Sequence, residues 1–345
     1  MTNHSELQSP MLSVEAQKGC PRIVFMGTPE FALESLKALV EGHYNVVAVV
    51  TQPDKPVGRH GSVLQPSVVK QYALSQGLPV LQPEKMKDPD FVEQLRSYHA
   101  DLQVVVAFRM LPEVVWAMPP LGTFNVHAAL LPQYRGAAPI NWAIINGETE
   151  TGITTFFLDH DIDTGRIIAQ ERMPIGETDN VEQVYDRLMV LGARMCLQTV
   201  DDIVAGRVQT VAQSRLAETE GPLRSAPKIF KDTCRIRWTE MTAKQVYDFI
   251  RGLSPVPVAW TELVDEDGRR LTLKIYAATY QPFTAEELHT VHPAPGHMIP
   301  ERRRLGIAAT DGIVWLSDVQ ASGKKRMDIA SFLNGMRDIV AYKVE

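Results

Sequence analysis

The chain has 345 residues, of which 45% are hydrophobic, and its net charge is −6 at pH 7 with a pI near 5.9. This length favours two domains over one, and the hydrophobic share is that of a globular protein with a substantial core. No apolar run approaches the ~18 residues that a membrane span needs. Residues 1–21 lack the apolar region of a signal peptide, and we expect them to form a disordered extension.

The cysteines indicate a reducing compartment. Cys20, Cys196 and Cys234 are odd in number, far apart and not in a metal-binding spacing. We therefore interpret them as reduced thiols of a cytoplasmic protein, without a metal site.

The charge is distributed unevenly. Residues 226–345 carry 17 Lys and Arg against 15 Asp and Glu, a net +2, which leaves −8 for residues 1–225. Two basic clusters, Arg302–Arg304 and Lys324–Arg326, lie in the second part. They are consistent either with a polyanionic partner or with two ordinary solvated loops.

The first part of the chain alternates apolar strands with amphipathic helices. The strands are predicted in "RIVFMG", "NVVAVVTQ", "DLQVVVAF" and "TFNVHAA", and the helices in "EFALESLKALVEG" and around residues 66–76, 88–99 and 112–118. Strands alternating with helices predict a parallel sheet of Rossmann-like α/β architecture. The later segments "GITTFFLD" and "RIIAQERMPI" favour a hairpin, and a long helix capped by Asn180 follows them.

The character of the sequence changes after residue 207. Residues 208–225 are polar and contain Gly and Pro, which is typical of a linker. Residues 226–345 read as one helix followed by several short strands, and we predict a smaller β-rich domain, an open barrel of OB type. The predicted organisation is thus an extension at 1–21, an α/β domain at 22–207, a linker at 208–225 and a barrel at 226–345.

The first strand–helix turn argues against a nucleotide cofactor. It reads "MGTPEFA", with Gly27 alone where a dinucleotide-binding turn needs several glycines. The chain also lacks the glycine-rich phosphate loop of nucleoside triphosphatases. We expect neither NAD nor ATP to bind the sheet.

Three polar side chains are candidates for a reaction centre. Asn125 and His127 are two apart in a predicted strand, so they share a face, and "DHDIDTGRI" places Asp163 after a neighbouring strand. An amide can stabilise an oxyanion, an imidazole can carry a proton, and a carboxylate can orient the imidazole. No Ser or Cys nucleophile adjoins His127, which favours direct transfer between two substrates. A satisfied buried polar pair is the alternative interpretation of Asn125 and His127.

The motifs of the chain resemble those of the folate-dependent formyltransferases. The resemblance runs from about residue 22 to the C-terminus and rests on "FMGTPEFA", "VVTQPDKPVGR", "LLPQYRGAAPINWAIINGETETGIT" and "DIDTG". Within the family, the chain looks like those members that act on initiator methionyl-tRNA. The resemblance implies that Asn125, His127 and Asp163 are catalytic, that 10-formyltetrahydrofolate donates the formyl group, and that no covalent enzyme intermediate forms.

The resemblance also implies two segments of the folate site. One is Ala129, Leu130, Leu131 and Pro132, where the family pattern carries Ser in place of Ala129, so that only the backbone can contribute at that position. The other comprises Phe108, Arg109, Met110 and Leu111, which would line the pterin slot by backbone and apolar contacts.

For the RNA, the resemblance implies that a loop containing Arg59 enters the acceptor stem and that Lys228, Lys231 and Arg251 contact phosphates. We expect a monomeric cytoplasmic enzyme of bacterial type, without membrane contact. The alternatives are a sugar-amine N-formyltransferase with the same folate donor, a glycinamide ribonucleotide formyltransferase, which lacks the 226–345 region, and a catalytically inactive folate- or RNA-binding protein.

Overall fold

The computed structural model describes residues 20–57, 63–218, 221–288, 292–336 and 339–345. The chain divides into two compact units. One unit consists of Met1–Val126 and Ala193–Gln209, and the other of His127–Gly192 and Thr210–Glu345.

The first unit is built on parallel strands separated by helices. Its elements are β1 (Ile23–Gly27), α1 (Glu30–Glu41), β2 (Val46–Val50), β3 (Lys55–Val57), β4 (Val63–Gln65), α2 (Val68–Ser75), β5 (Val80–Leu81), α3 (Pro89–Ser97), β6 (Leu102–Val106), α4 (Glu113–Trp116) and β7 (Thr123–His127). Five strands pair in parallel in the order β7-β6-β1-β2-β5, whereas β3 and β4 form a separate antiparallel hairpin. The predicted parallel sheet is thus confirmed.

Burial explains why the strands are apolar throughout. Every residue of β1 and of β6 is buried, as expected for strands that are covered on both faces. The helices bury one stripe each: α1 buries Phe31, Leu36 and Leu39, which recur at helical spacing. The segments predicted to bind folate and to catalyse the reaction lie at the carboxyl ends of β6 and β7.

The second unit contains the remaining strands and a long helix. Its elements are β8 (Arg135–Gly136), α5 (Pro139–Ile145), β9 (Glu150–Phe157), β10 (Ile167–Pro174), α6 (Val181–Val204, whose second half belongs to the first unit), α7 (Gln213–Ala217), β11 (Ser225–Ala226), α8 (Ala243–Leu253), β12 (Ala259–Asp265), β13 (Arg270–Pro282), α9 (Ala285–Leu288), β14 (Met298–Pro300), β15 (Leu305–Ala308), β16 (Gly312–Ala321), β17 (Met327–Asp328), α10 (Ile329–Gly335) and β18 (Tyr342–Val344).

The hairpin and the helix cap follow the sequence. Strands β9 and β10 pair antiparallel. The Asn180 side chain accepts a hydrogen bond from the backbone N–H of Gln183 at 3.0 Å, and the Gln183 side chain accepts one from the N–H of Asn180 at 3.0 Å. This reciprocal pair satisfies two free donors at the start of α6.

The C-terminal strands form an antiparallel, nearly closed barrel in the order β14-β15-β16-β13-β12-β18, with β17 paired to β16. Its core includes Val246 and Ile250 of α8 together with Leu273, Leu316 and Val319 of the strands. The predicted barrel is confirmed. Among the described residues, no helix is long and apolar enough to cross a membrane.

The segment predicted as a linker carries structure of its own. Residues 213–217 form α7, Val211 bridges to Ile167, and β11 pairs in parallel with β8. This part of the chain therefore packs on the loops that follow β7.

Candidate active site

His127 ends strand β7 and is almost completely buried, at 6% exposure. Its Nε2 lies 3.0 Å from the backbone carbonyl oxygen of Tyr134. Because a carbonyl oxygen can only accept, Nε2 carries a proton and donates it to this bond. The ring nitrogen that is left for proton exchange is Nδ1, while the edge of Phe156 packs against the ring at a centroid distance of 6.4 Å.

Asp163 faces that free nitrogen. Its Oδ2 lies 3.9 Å from Nδ1 of His127 and accepts a hydrogen bond from the N–H of Gly136 at 3.0 Å. Asp163 adopts a left-handed backbone conformation, with φ of 55°, which Asp tolerates better than most residues. Two residues later a Cβ on Gly165 would lie 1.6 Å from the carbonyl oxygen of Phe157, so the turn requires glycine there.

The side chain of Gln213 in α7 holds this turn in place. Its Nε2 donates to the carbonyl oxygens of Asp163 at 2.8 Å and of Gly165 at 2.9 Å. Its Oε1 accepts from Arg135 Nη2 at 2.6 Å. The side chain is buried, so the predicted linker supplies a residue that holds the carboxylate loop.

Asn125 precedes His127 by two residues in β7, and the alternation of a strand places both side chains on one face. Its Oδ1 is buried, and among the described residues it has no hydrogen-bond partner. A buried amide without a protein partner is costly unless another group meets it. This observation argues against a satisfied structural pair and favours an amide that contacts a substrate.

The backbone after His127 is rigidly held. Thr154 Oγ1 donates to the carbonyl oxygen of Ala129 at 2.6 Å and accepts from the N–H of Leu131 at 3.1 Å. Gln170 Nε2 donates to the carbonyl oxygen of Leu131 at 2.7 Å. The predicted folate segment therefore lies on a fixed path, with Ala129, Leu131 and Pro132 buried and Leu130 half-buried.

The second predicted folate segment follows β6. Arg109 donates through Nη1 to the carbonyl oxygen of Glu84 at 2.8 Å and through Nη2 to that of Pro83. Its guanidinium lies 5.8 Å from the centroid of the Phe108 ring, and burial lowers the pKa of Arg109. Among the described residues, Arg109 Nε has no partner. Met110 is 69% exposed and Leu111 is buried.

The residues predicted to contact RNA differ in their placement. Arg59 lies outside the described residues, but the base of its loop is fixed by Lys70, which donates to Asp54 at 2.7 Å. Lys228 and Lys231 are exposed, and Lys228 lies 5.4 Å from the centroid of the exposed Phe230 ring.

Arg251, unlike the two lysines, is buried. It is 7% exposed and donates through Nε to Asp248 at 2.8 Å. Its Nη1 donates to the carbonyl oxygens of Asp179, at 3.0 Å, and Gly176, at 3.4 Å. The structure therefore places this guanidinium inside the protein, where it joins α8 to the loop before α6.

Sequence reasoning missed Tyr134, Gly136, Thr154 and Gln213. Tyr134 acts through a backbone carbonyl, which no residue pattern reports. Gly136 has a φ of 129° and would collide with the Ala226 carbonyl if it had a Cβ, so the glycine was the one available signal in the "YRGAAP" segment.

Two family models match the chain. The model "Formyl transferase" matches residues 21–200, and "Formyl transferase, C-terminal domain" matches residues 228–337. The chain therefore belongs to the formyl transferase family. It is 60% identical over 327 residues to the methionyl-tRNA formyltransferase of Parabacteroides distasonis, which covers 94% of this chain and 98% of that protein. Within the family, the chain belongs to the methionyl-tRNA formyltransferases.

A more distant relative agrees with this assignment, and two solved structures share the fold. The methionyl-tRNA formyltransferase of Porphyromonas gingivalis is 48% identical over 91% of this chain and 95% of its own length. WlaRD, a sugar 3N-formyl transferase solved with dTDP and 5-N-formyl-THF, superposes with a TM-score of 0.59 at 18% identity over 88% of this chain and 99% of that one. HypX from Aquifex aeolicus in complex with tetrahydrofolic acid superposes with a TM-score of 0.57 at 18% identity, over 92% of this chain and 48% of that one. At such identities the two structures show the shared fold alone.

Proposed function

We propose that this protein transfers the formyl group of 10-formyltetrahydrofolate to the α-amino group of methionine on initiator tRNA. The observation that carries the proposal is the likeness at 48–61% identity to methionyl-tRNA formyltransferases over nearly the whole chain, both domains included. The buried His127 with one free ring nitrogen facing Asp163 supplies the matching chemistry.

The formyl group passes directly from one substrate to the other by addition and then elimination. The amine nitrogen attacks the formyl carbon and forms the new C–N bond, which gives a tetrahedral intermediate with an oxyanion. The bond from carbon to N10 of the folate then breaks. N10 leaves with a proton as a neutral amine, and the attacking nitrogen loses one, so the step needs a group that moves protons and a donor for the oxyanion.

Asn125 and His127 meet these needs. The Asn125 amide donates to the oxyanion, because preorganised donors act most strongly where charge develops. His127 takes up the proton of the attacking amine at Nδ1 and passes it to N10, since its Nε2–H is engaged by the Tyr134 carbonyl. Asp163, 3.9 Å from Nδ1, stabilises the charged imidazole and orients it.

We assign the folate contacts to the two segments predicted from the sequence. Residues 129–132 present backbone groups whose positions are set by Thr154 and Gln170, so the absence of a hydroxyl at Ala129 leaves their geometry intact. Phe108 to Leu111 add an exposed Met110 and a stacked Arg109 for apolar and cationic contacts.

The tRNA contacts involve exposed cations near aromatic rings. Lys228 and Lys231 flank Phe230, which is 61% exposed, and cations interleaved with an aromatic ring suit phosphates and an unstacked base. Arg251 is engaged inside the protein, so we assign it a structural role and leave phosphate binding to the two lysines.

One outward face of the barrel adds further cations. The guanidinium of Arg304 lies 3.8 Å from the centroid of the Trp315 ring, and that of Arg326 lies 4.2 Å from the centroid of Tyr276. Trp315 alternates with the core residues Val314 and Leu316, and Tyr276 bonds Gln320 on the same side of the sheet. Arg304 is paired with Glu301 and Arg326 with Asp318. Their neighbours in sequence Arg302, Arg303, Lys324 and Lys325 are exposed, and no ion pair to a carboxylate of the described residues engages any of these four. Such a face complements a polyanion.

The predicted organisation completes the proposal. We assign catalysis to residues 22–207 and tRNA binding to 226–345, and to 208–225 a connection that also holds the Asp163 turn through Gln213. The enzyme acts as a monomer in the cytoplasm, and the loop of Arg59 contacts the acceptor stem.

The test compares acceptors at one concentration of 10-formyltetrahydrofolate. Purified protein is assayed with methionyl-initiator tRNA, methionyl-elongator tRNA, dTDP- and UDP-amino sugars, and glycinamide ribonucleotide. We expect transfer to the initiator tRNA at a kcat/KM at least tenfold above that of any other acceptor. Transfer to a sugar alone would overturn the proposal.

A further inference from the structure

The loop that follows Pro132 contacts both residues of the proposed proton relay. The Tyr134 carbonyl oxygen accepts from Nε2 of His127 at 3.0 Å, and the N–H of Gly136 donates to Asp163 at 3.0 Å. The backbone of Tyr134 thus sets the tautomer of the imidazole, and that of Gly136 occupies one lone pair of the carboxylate. Their backbone must stay in place for the relay to keep its geometry.

Tyr134 does not hold its conformation by intrinsic preference. Its φ is 60°, a left-handed value that is unfavourable for an aromatic residue. Such a conformation persists only where surrounding contacts outweigh its strain. The contacts that do so can be identified.

Arg224 supplies contacts on both the backbone and the side chain. Its carbonyl oxygen accepts from the N–H of Tyr134 at 2.7 Å, and its own N–H donates to Gln133 Oε1 at 2.8 Å. Its guanidinium Nη1 donates to Glu148 Oε1 at 2.7 Å. The same carboxylate oxygen accepts from the Tyr134 hydroxyl at 2.6 Å.

Tyr134, Glu148 and Arg224 therefore form a closed cluster, which we call the tyrosine clamp. Burial, and next the Glu148 carboxylate, raise the pKa of Tyr134, so the phenol stays a donor to Glu148. Asn146 adds a contact to the phenol oxygen at 3.3 Å. None of these side chains touches His127 directly.

We propose that Glu148 and Arg224 are positioning residues of the transfer reaction, which hold the Tyr134 carbonyl against Nε2 of His127 through the tyrosine clamp. They act on the tautomer of the imidazole and not on substrate binding. This proposal rests on the proposed function in one respect, because the rate that tests it is the rate of formyl transfer to methionyl-tRNA.

The chain offers a matched control on the same cavity. A cavity of about 430 Å³ is lined by Arg224 and Glu148 and also by Arg172 and Glu150. Arg172 is ion-paired with Glu150, and its side chain is 62% exposed against 51% for Arg224. Arg172→Met removes a comparable ion pair but leaves the tyrosine clamp intact.

The experiment measures kcat, the KM for 10-formyltetrahydrofolate, and the ¹⁵N shifts of His127 in protein labelled at histidine, with the signals assigned by His127→Asn. For Arg224→Met and Glu148→Ala we expect kcat to fall about tenfold or more, with KM changed less than threefold. The Nε2–H tautomer signature of His127 should become mixed. Glu148→Gln should recover most of the rate, because its amide oxygen still accepts both bonds, and Arg172→Met should match the wild type.

Tyr134→Phe serves as a second variant should the others fail to fold, and we expect it to lower kcat about threefold with a detectable change in the His127 shifts. Unchanged kcat, or lowered kcat with an unaltered His127 tautomer, would overturn the positioning role. A wild-type protein that transfers no formyl group to methionyl-tRNA would refute the proposed function, whereas the tautomer measurement would still decide the tyrosine clamp.

Discussion

The Nδ1 of His127 and the Oδ2 of Asp163 are 3.9 Å apart, too far for a hydrogen bond but close enough for a strong charge interaction when the imidazole is protonated. The other ring nitrogen is already engaged by a backbone carbonyl. The imidazole therefore has a single site at which a proton can be exchanged with the reacting groups.

Removal of either group should stop proton transfer and leave folate binding intact. We expect His127→Ala and Asp163→Asn each to lower kcat by about 10²–10⁴-fold, the usual contribution of a positioned acid or base. Single-turnover formylation and fluorescence titration with the folate would measure the two properties separately. Normal turnover by either variant would refute the assignment.

Thr154 should stabilise the folate segment measurably. Its hydroxyl is fully buried and bonds Ala129, Leu131 and Gln170. Thr154→Val takes this partner from the Ala129 carbonyl and the Leu131 N–H, whereas Gln170 keeps its bond to the Leu131 carbonyl. We therefore expect the free energy of unfolding to fall by about 2–3 kcal/mol and the KM for the folate to rise.

The control for this variant lies on the same strand. Thr151 is buried, but among the described residues its hydroxyl has no hydrogen-bond partner. Thr151→Val should therefore leave the free energy of unfolding unchanged or raise it slightly. Equal losses in the two variants, measured by urea denaturation, would contradict the role of Thr154.

Arg251 should matter for stability more than for RNA affinity. Arg251→Ala removes one partner of the buried Asp248, which among the described residues then keeps only Lys244, at 2.6 Å. The variant also frees the carbonyls before α6. We expect a loss of about 3 kcal/mol in unfolding free energy. The salt dependence of tRNA affinity should stay as in the wild type. A slope of log Kd against log salt that falls by about one would instead support the phosphate contact predicted from the sequence.

The outward face of the barrel should contribute to tRNA affinity in a salt-dependent manner. Phosphate contacts release counterions, so the double variant Arg302→Ala/Arg303→Ala should reduce the slope of log Kd against log salt by about one to two. Arg269, which is paired with Asp265 and Asp267 in an exposed turn, provides the control, and Arg269→Ala should leave the slope unchanged. Filter binding between 50 and 200 mM salt measures both, and identical slopes would exclude this face.

The thiols of Cys20 and Cys196 should differ sharply in reactivity. Cys20 is exposed, whereas burial raises the pKa of the Cys196 thiol to about 12. We expect Ellman's reagent at pH 8 to modify Cys20 in the native protein and Cys196 only after unfolding, with Cys20→Ser as the control. Because the raised pKa belongs to the folded state, the stability that the neutral thiol contributes is complete below about pH 8.5 and declines as the pH rises above it.

Much of the fold could be predicted from local patterns. The apolar runs at β1, β2 and β6 are short and uninterrupted, which is typical of strands buried on both faces. The reciprocal pair of Asn180 and Gln183 marks the start of α6. The alternation of a strand likewise places Asn125 and His127 on one face wherever that strand packs. These features depend on backbone geometry and on neighbours in sequence, which the sequence by itself determines.

The tertiary structure alone decided which groups surround them. The partner of His127 Nε2 is a backbone carbonyl, which every residue carries, so only the left-handed conformation of Tyr134 singles it out. Gln213 and Arg224 reach the site from a segment that reads as a polar linker, and Arg251 is buried because α8 packs on the loop before α6. Each of these contacts joins residues far apart in the chain, and their energies depend on burial and distance, which a residue acquires only when the whole chain has folded around it.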